Sequence, residues 1–188
     1  MIAGRSWLMA ALTAPPGVKT AVIPTVTMLA VRHFRDSNPE GEHEPKHSAV
    51  KFVLGAWNDG DFSQANKHIA ADCEVYTNGI SFASEHGGPA MAKESVEYWR
   101  AIAPDLRMEL LEEIREKHRI AIGFRMTGTH TEALPELPAS GHAIDLEGSA
   151  FLTLDGDKIV EVWTVVDALA LAVQTGATEA PVWWPGRT

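Results

Sequence analysis

The run GDKIVEVWTVVDALALAVQTG, residues 156–176, holds a strand and a helix end to end, with two carboxylates in an otherwise mostly apolar stretch. Lys158 to Val166 is rich in β-branched side chains and follows a Gly-Asp turn, which predicts a strand. Alternation puts Ile159, Glu161, Trp163 and Val165 on one face and Val160, Val162, Thr164 and Val166 on the other. Both faces are largely apolar, so both are expected to be covered, one by helices or a pocket and the other by further structure or a second subunit. Glu161 is thereby expected to face an enclosed space, where a carboxylate either meets a partner or serves as a proton acceptor or donor. The alternative for Glu161 is a structural ion pair with Arg125 as the cation. Asp167 stands where the strand ends and ALALAVQTG begins, with Gly176 as the helix stop. Its side chain is expected to cap the helix amides, with a second role at the rim of a cavity walled by Trp163.

Upstream, LRMELLEEI, HRIAIGFRMTGTH and AIDLEGSAFLTL read as further strands, joined by short polar turns such as LDGD, and ALPELPASG reads as a loop. In EPKHSAVKFVLGAWNDGDF, Pro45 stands where a first helical residue is expected, and Val50, Val53, Leu54 and Trp57 share one helical face before NDGD ends the helix. Phe62, Ala65 and Ile69 begin a second short amphipathic stretch, and CEVYTNG alternates as a strand stopped by Asn-Gly. PAMAKESVEYWRAIAP predicts a third helix from Pro89 to just before Pro104. Helices first and successive strands afterwards define an α+β class, one curved and mostly antiparallel sheet with the helices on its inner side.

The chain has 188 residues, 45% of them hydrophobic, which suits one domain with a sizeable core. A formal charge of −9 and the lack of any Lys/Arg-rich run argue against nucleic acid as a partner. The single cysteine, Cys73, forms no internal disulfide and leaves no Cys-based metal cluster, so a cytoplasmic location is expected. AVIPTVTMLAV is too short and Pro-broken to span a membrane. Residues 1–43 read as an extension and polar linker, not necessary to the fold, with Met28 as an alternative start; 44–176 read as the domain and 177–188 as an aromatic-rich tail, PVWWPGRT.

The residues GTHTEALPELPASGHAIDLEGSAFLTLDGDKIVEVWTVVDALALAVQTG and FVLGAWNDGDFSQANKHIAADCEVY resemble the SnoaL-like polyketide cyclases, or ester cyclases, of the nuclear transport factor 2-like superfamily. The resemblance covers roughly residues 48 to 176. It implies a cone with a pocket between curved sheet and helices, a homodimer built on the outer sheet face, no metal or organic cofactor, and a hydrophobic polyketide- or terpenoid-like ligand. It further implies an acid that takes a proton from carbon beside carbonyls, closing a ring by aldol condensation or shifting a double bond, with a His assisting. The matching acids are Glu161 and Asp167, with the choice between them open, and the matching histidine is His130. The alternative is a non-catalytic binding or dimerisation module of the same fold.

Two departures stand out: many relatives carry His at the position of Val162, and the second His-bearing site falls here on Tyr76 or Asn78. The limonene epoxide hydrolases share the fold, and their water-holding pair matches Tyr76 and Asn78. Their aspartates are replaced here by Thr127 and Val165, which removes that route. Arg125, in an apolar strand, is expected to pair a buried acid or touch ligand, and Trp57 and Trp163 to wall the core or pocket. His86 has no second ligand at useful spacing, so no metal is expected, and Cys73 lacks the paired His of a nucleophilic thiol.

Overall fold

The structure, a computed structural model, describes residues 44–78, 80–81, 88–133 and 138–179. The readings made for residues 1–43, for His86 and for the tail from residue 180 lie outside the described residues. In chain order the elements are α1 (Ser48–Asp59), α2 (Ala65–His68), β1 (Ile69–Thr77), β2 (Ile80–Ser81), α3 (Gly88–Ile102), β3 (Arg107–Glu116), β4 (Arg119–Thr129), β5 (Ala143–Asp155), β6 (Lys158–Val166) and α4 (Ala168–Gln174). The strands form one sheet in the order β2-β1-β6-β5-β4-β3. Only the β1–β6 pair is parallel; the others are antiparallel, as the short turns require. The result is the expected mixed α+β architecture, with α1 on β3, α3 on β1 and α4 on β5.

α1 starts later than Pro45 suggested. His47 is the N-cap, its Nδ1 accepting from the Ala49 amide at 3.2 Å, and the Glu113 carboxylate accepts from the Lys46 and His47 amides at 2.8 and 3.1 Å. The buried stripe is Ala49, Val50, Phe52 and Ala56, while Val53, Leu54 and Trp57 of the expected face are half-buried. Two alanines let the helix backbone come close to its neighbours, and Phe52 fills the remaining space by stacking on His68 with ring centroids 5.2 Å apart. Gly60 ends the helix in the left-handed region at φ 68°, as NDGD predicted.

On the inner face of the sheet, Ile144, Leu146, Ala150, Leu152 and Leu154 of β5 pack beside Ile120, Ile122, Phe124 and Met126 of β4, all buried. Gly148 interrupts the β5 series because a Cβ there would stand 2.5 Å from the Phe124 ring and 2.6 Å from the Val165 carbonyl oxygen. β6 departs from plain alternation: Thr153 pairs with Glu161 but Leu154 with Ile159, so Val160 is an extra residue. A bulge of this kind reverses the facing of everything beyond it. Ile159 is buried on the inner side with Leu154, whereas Glu161, Trp163 and Val165 stand on the outer side with Thr153, Phe151 and Ser149. The expectation that Ile159, Glu161, Trp163 and Val165 share an enclosed face, and that Val162 and Val166 look outward, is therefore corrected: β6 presents Val162, Thr164 and Val166 to the helices.

Where strands outrun their partners, side chains complete the ladder. The Asn58 amide accepts from the Met108 N–H at 2.7 Å and donates to its carbonyl at 2.9 Å, pairing the open edge of β3 as another strand would. Gln174 does the same to Asp145, beyond the end of β6, at 2.8 and 2.9 Å. Asp105 accepts from the Thr129 N–H and hydroxyl at 2.7 and 2.8 Å. Asn58→Ala removes two such bonds and is expected to destabilise the fold by about 1–3 kcal/mol, read from the urea unfolding midpoint.

Candidate ligand site

The residues singled out from the sequence fall into four places. Glu161, Trp163, Tyr76 and Arg125 are on the outer face. Tyr76 stacks on Trp163 with ring centroids 4.6 Å apart, and its hydroxyl donates to Glu74 at 3.0 Å, which raises the phenol pKa. Glu161 is half-buried and accepts from the Thr153 hydroxyl at 2.9 Å. The cation considered for it is engaged elsewhere. Arg125 Nε donates to Asp145 at 2.6 Å and Nη2 to the other carboxylate oxygen, a bidentate pair that raises the guanidinium pKa further.

Asp167 and Asn78 both lie at the C-terminal end of β6. Asp167 is the N-cap of α4, one oxygen accepting from the Ala170 amide at 2.8 Å, as expected of an Asp at that position. Asn78 takes φ 51°, a conformation Asn tolerates, and extends the β1–β6 ladder: its N–H donates to the Thr164 carbonyl at 2.9 Å and its side-chain oxygen accepts from the Val166 N–H at 3.1 Å.

His130 stands apart at the end of β4. It is fully buried, its N–H donates to the His142 carbonyl, and its own carbonyl accepts from Gly141, so it joins the end of β4 to the residues just before β5. Its Nδ1 lies 2.9 Å from the Ser140 hydroxyl and accepts from the Ser140 N–H at 3.3 Å. Burial holds the imidazole pKa below its ordinary value; His142 acts in the same direction and the Glu132 backbone opposes. Trp57 is half-buried on α1, where its carbonyl accepts from Arg100 at 2.8 Å. Cys73 is buried and its thiol is pushed up to about 11, chiefly by desolvation and then by Asp72, Glu161 and Glu74, which leaves it protonated.

The inner face offers the more ligand-like surface. Near the β5–β6 turn it is closed, with Ile159, Leu152 and Leu154 buried. Toward the other end of β6, Val75, Thr77, Val162 and Thr164 are only half-buried, and these four lie in direct register, Val75 beside Val162 and Thr77 beside Thr164. The sequence pattern did not single out Val75 and Thr77, and it put Val162 and Thr164 on the side away from the helices, whereas all four share the inner face. The signal was present in the alternation of β1 and β6 but inverted by the Val160 bulge. Among the described residues, no three His, Cys, Asp or Glu side chains gather as a metal site, and no helix is long and apolar enough to cross a membrane.

Residues 47–175 match the family model of the SnoaL-like polyketide cyclases, and the chain belongs to that family. It is similar in fold to AclR of Streptomyces galilaeus, named as a candidate hydroxylase, at 24% identity over 71% of this chain and 82% of that one, with a TM-score of 0.61. IdmH of Streptomyces antibioticus, named as a candidate polyketide cyclase, is similar at 22% identity over 71% and 99% of the two chains, TM-score 0.58. A SnoaL-like polyketide cyclase of Agrobacterium tumefaciens is similar at 23% identity over 67% and 94%, TM-score 0.55. No curated protein matches in sequence. At these identities the solved structures share the fold, and the family membership carries a cyclase-type function in general terms.

A second buried imidazole, His68, stacks on Phe52 with Nδ1 lacking a hydrogen-bond partner among the described residues, and its pKa is lowered by desolvation, then by Lys67 and His47, against Asp157. His68 and His130 both take up protons less readily folded than unfolded, so the unfolded chain binds more protons below about pH 6.5 and stability falls with pH from there. The melting temperature is expected to drop between pH 7.5 and 5.5, with His68→Gln and His130→Gln each flattening that slope.

Proposed function

We propose that the protein binds a hydrophobic polyketide- or terpenoid-like small molecule on the inner face of the sheet, and performs cofactor-independent acid/base chemistry there, an aldol-type ring closure or an isomerisation. The observation that carries this reading is the half-buried inner surface of Val75, Thr77, Val162 and Thr164, on β1 and on β6, the strand that ends just before Asp167. Glu161 stands behind the sheet, so the base assigned here is Asp167. One of its oxygens caps α4 and the other is left to accept a proton. In this reading the Asp167 carboxylate takes a proton from carbon beside a carbonyl. The resulting carbanion attacks a second carbonyl carbon of the same molecule, and the alkoxide recovers the proton from the carboxylic acid. His130 contributes by joining the end of β4 to the residues just before β5 rather than by proton transfer.

The test uses a carbonyl probe, benzylacetone in deuterated buffer, with exchange at the carbons flanking the ketone followed by NMR. Asn caps helices as well as Asp does, so Asp167→Asn is expected to leave the melting temperature nearly unchanged while lowering exchange by about a hundredfold or more. Glu161→Gln is expected to exchange at the parent rate. Equal rates for Asp167→Asn and the parent would remove Asp167 from the chemistry.

The second reading, a non-catalytic binding module, is favoured by one observation: Arg125 is paired with Asp145, Glu161 with Thr153 and Asp167 with Ala170. It expects binding of benzylacetone with no catalysed exchange.

Either reading includes a homodimer through the outer face. Phe151, Trp163 and Val165 are 54%, 41% and 52% exposed there, an apolar strip that calls for a cover. Sedimentation at micromolar concentration is expected to give a dimer, and Phe151→Glu a monomer.

A further inference from the structure

Thr77 and Thr164 are the two polar side chains in the half-buried inner quartet, and they stand directly beside each other on parallel neighbouring strands. The backbone around them is occupied, with the Thr164 carbonyl accepting from Asn78. Their hydroxyls have no hydrogen-bond partner among the described residues. Along the two strands the inner-face neighbours of the pair are apolar: Val75 and Val162 one alternation away, and Val166 buried at the end of the strand. A hydroxyl in such surroundings gains from any acceptor that reaches it, and leaving it unpaired is costly when a ligand displaces water.

We infer that Thr77 and Thr164 form a two-hydroxyl subsite that receives one carbonyl oxygen of the ligand. The inference rests on the inner-face reading above and names the ligand group that this face selects. Adjacent strands lie about 4.8 Å apart, and two O–H···O bonds of about 2.8 Å meeting at the roughly 120° set by the lone pairs of a carbonyl oxygen span the same distance. A single carbonyl oxygen therefore matches both donors at once. A carboxylate or phosphate fits poorly, because Val75, Val162 and Val166 bring no cation to offset its desolvation. Thr164 stands three residues before Asp167 in the chain, so a ketone held at the subsite is placed near the end of the strand from which Asp167 emerges. The ligand class that follows is a neutral, mostly apolar molecule with a ketone or enol oxygen at the level of the threonine pair.

The experiment compares two probes of like size, benzylacetone and butylbenzene, the second lacking the carbonyl, titrated into the full chain by NMR. Thr77→Val and Thr164→Val keep the side-chain shape and remove the hydroxyl. Each is expected to weaken benzylacetone by about five- to tenfold, with butylbenzene changed less than about twofold. The carbonyl carbon-13 resonance of bound benzylacetone is expected to sit downfield of the free ketone in the parent and to move back in the double variant. Thr77→Ser and Thr164→Ser retain the hydroxyl and are expected to retain the carbonyl preference, which separates loss of a donor from loss of fold. Parent and Val variants that bind both probes alike would overturn the subsite while leaving the apolar inner-face reading intact. A parent that binds neither probe would overturn both.

Discussion

One inserted residue in the central strand decides how the molecule is divided into inside and outside. Val160 has no counterpart on β5, since Thr153 and Leu154 are consecutive while their partners Glu161 and Ile159 are two apart. Because side chains alternate with period two, this single residue exchanges the faces of all that follow. It buries Ile159 with the helices, sends Glu161 and Trp163 to the opposite surface, and brings Val162, Thr164 and Val166 inward. β6 lies between β1 and β5, so its register also fixes where Asp167 emerges and where α4 returns across β5.

The same economy governs the sheet's unfinished edges. Asn58, Asp105 and Gln174 each satisfy backbone or hydroxyl groups where a strand runs past its neighbour. Asn58 and Gln174 tie helix ends to the sheet with directional bonds, Asp105 does so from the turn before β3, and Arg100 joins α3 to α1 by donating to the last carbonyls of α1.

Charge placement separates structural from chemical roles. Arg125 and Asp145 neutralise each other on the outer face, and Glu161 is held by Thr153 beside the Tyr76–Trp163 stack. His130 and His68 are buried and disfavoured as cations. On the inner face of β6, Val162, Thr164 and Val166 carry no charge.

Much of this was legible in the residues. The strand-plus-helix run 156–176, the long helix 88–102 and the strands that follow it are local patterns, set by β-branched alternation, helix periodicity and Pro or Gly stops that act within a few residues. Asp167 as a helix cap is equally local, since the acceptor and the Ala170 amide are three residues apart. The family motifs were likewise contiguous. The facing of Glu161 was not legible, because a bulge depends on how β5 and β6 slide against each other, and a strand read alone assumes no extra residue. Nor was the partner of Arg125, which lies across the sheet at Asp145, or the pairing of Thr77 with Thr164, which joins residues 87 positions apart through a parallel contact. Local periodicity determined which elements form and the capping role of Asp167. Register between distant strands decided which side chains face the helices, because a shift of one residue costs little locally and exchanges the two faces of the sheet.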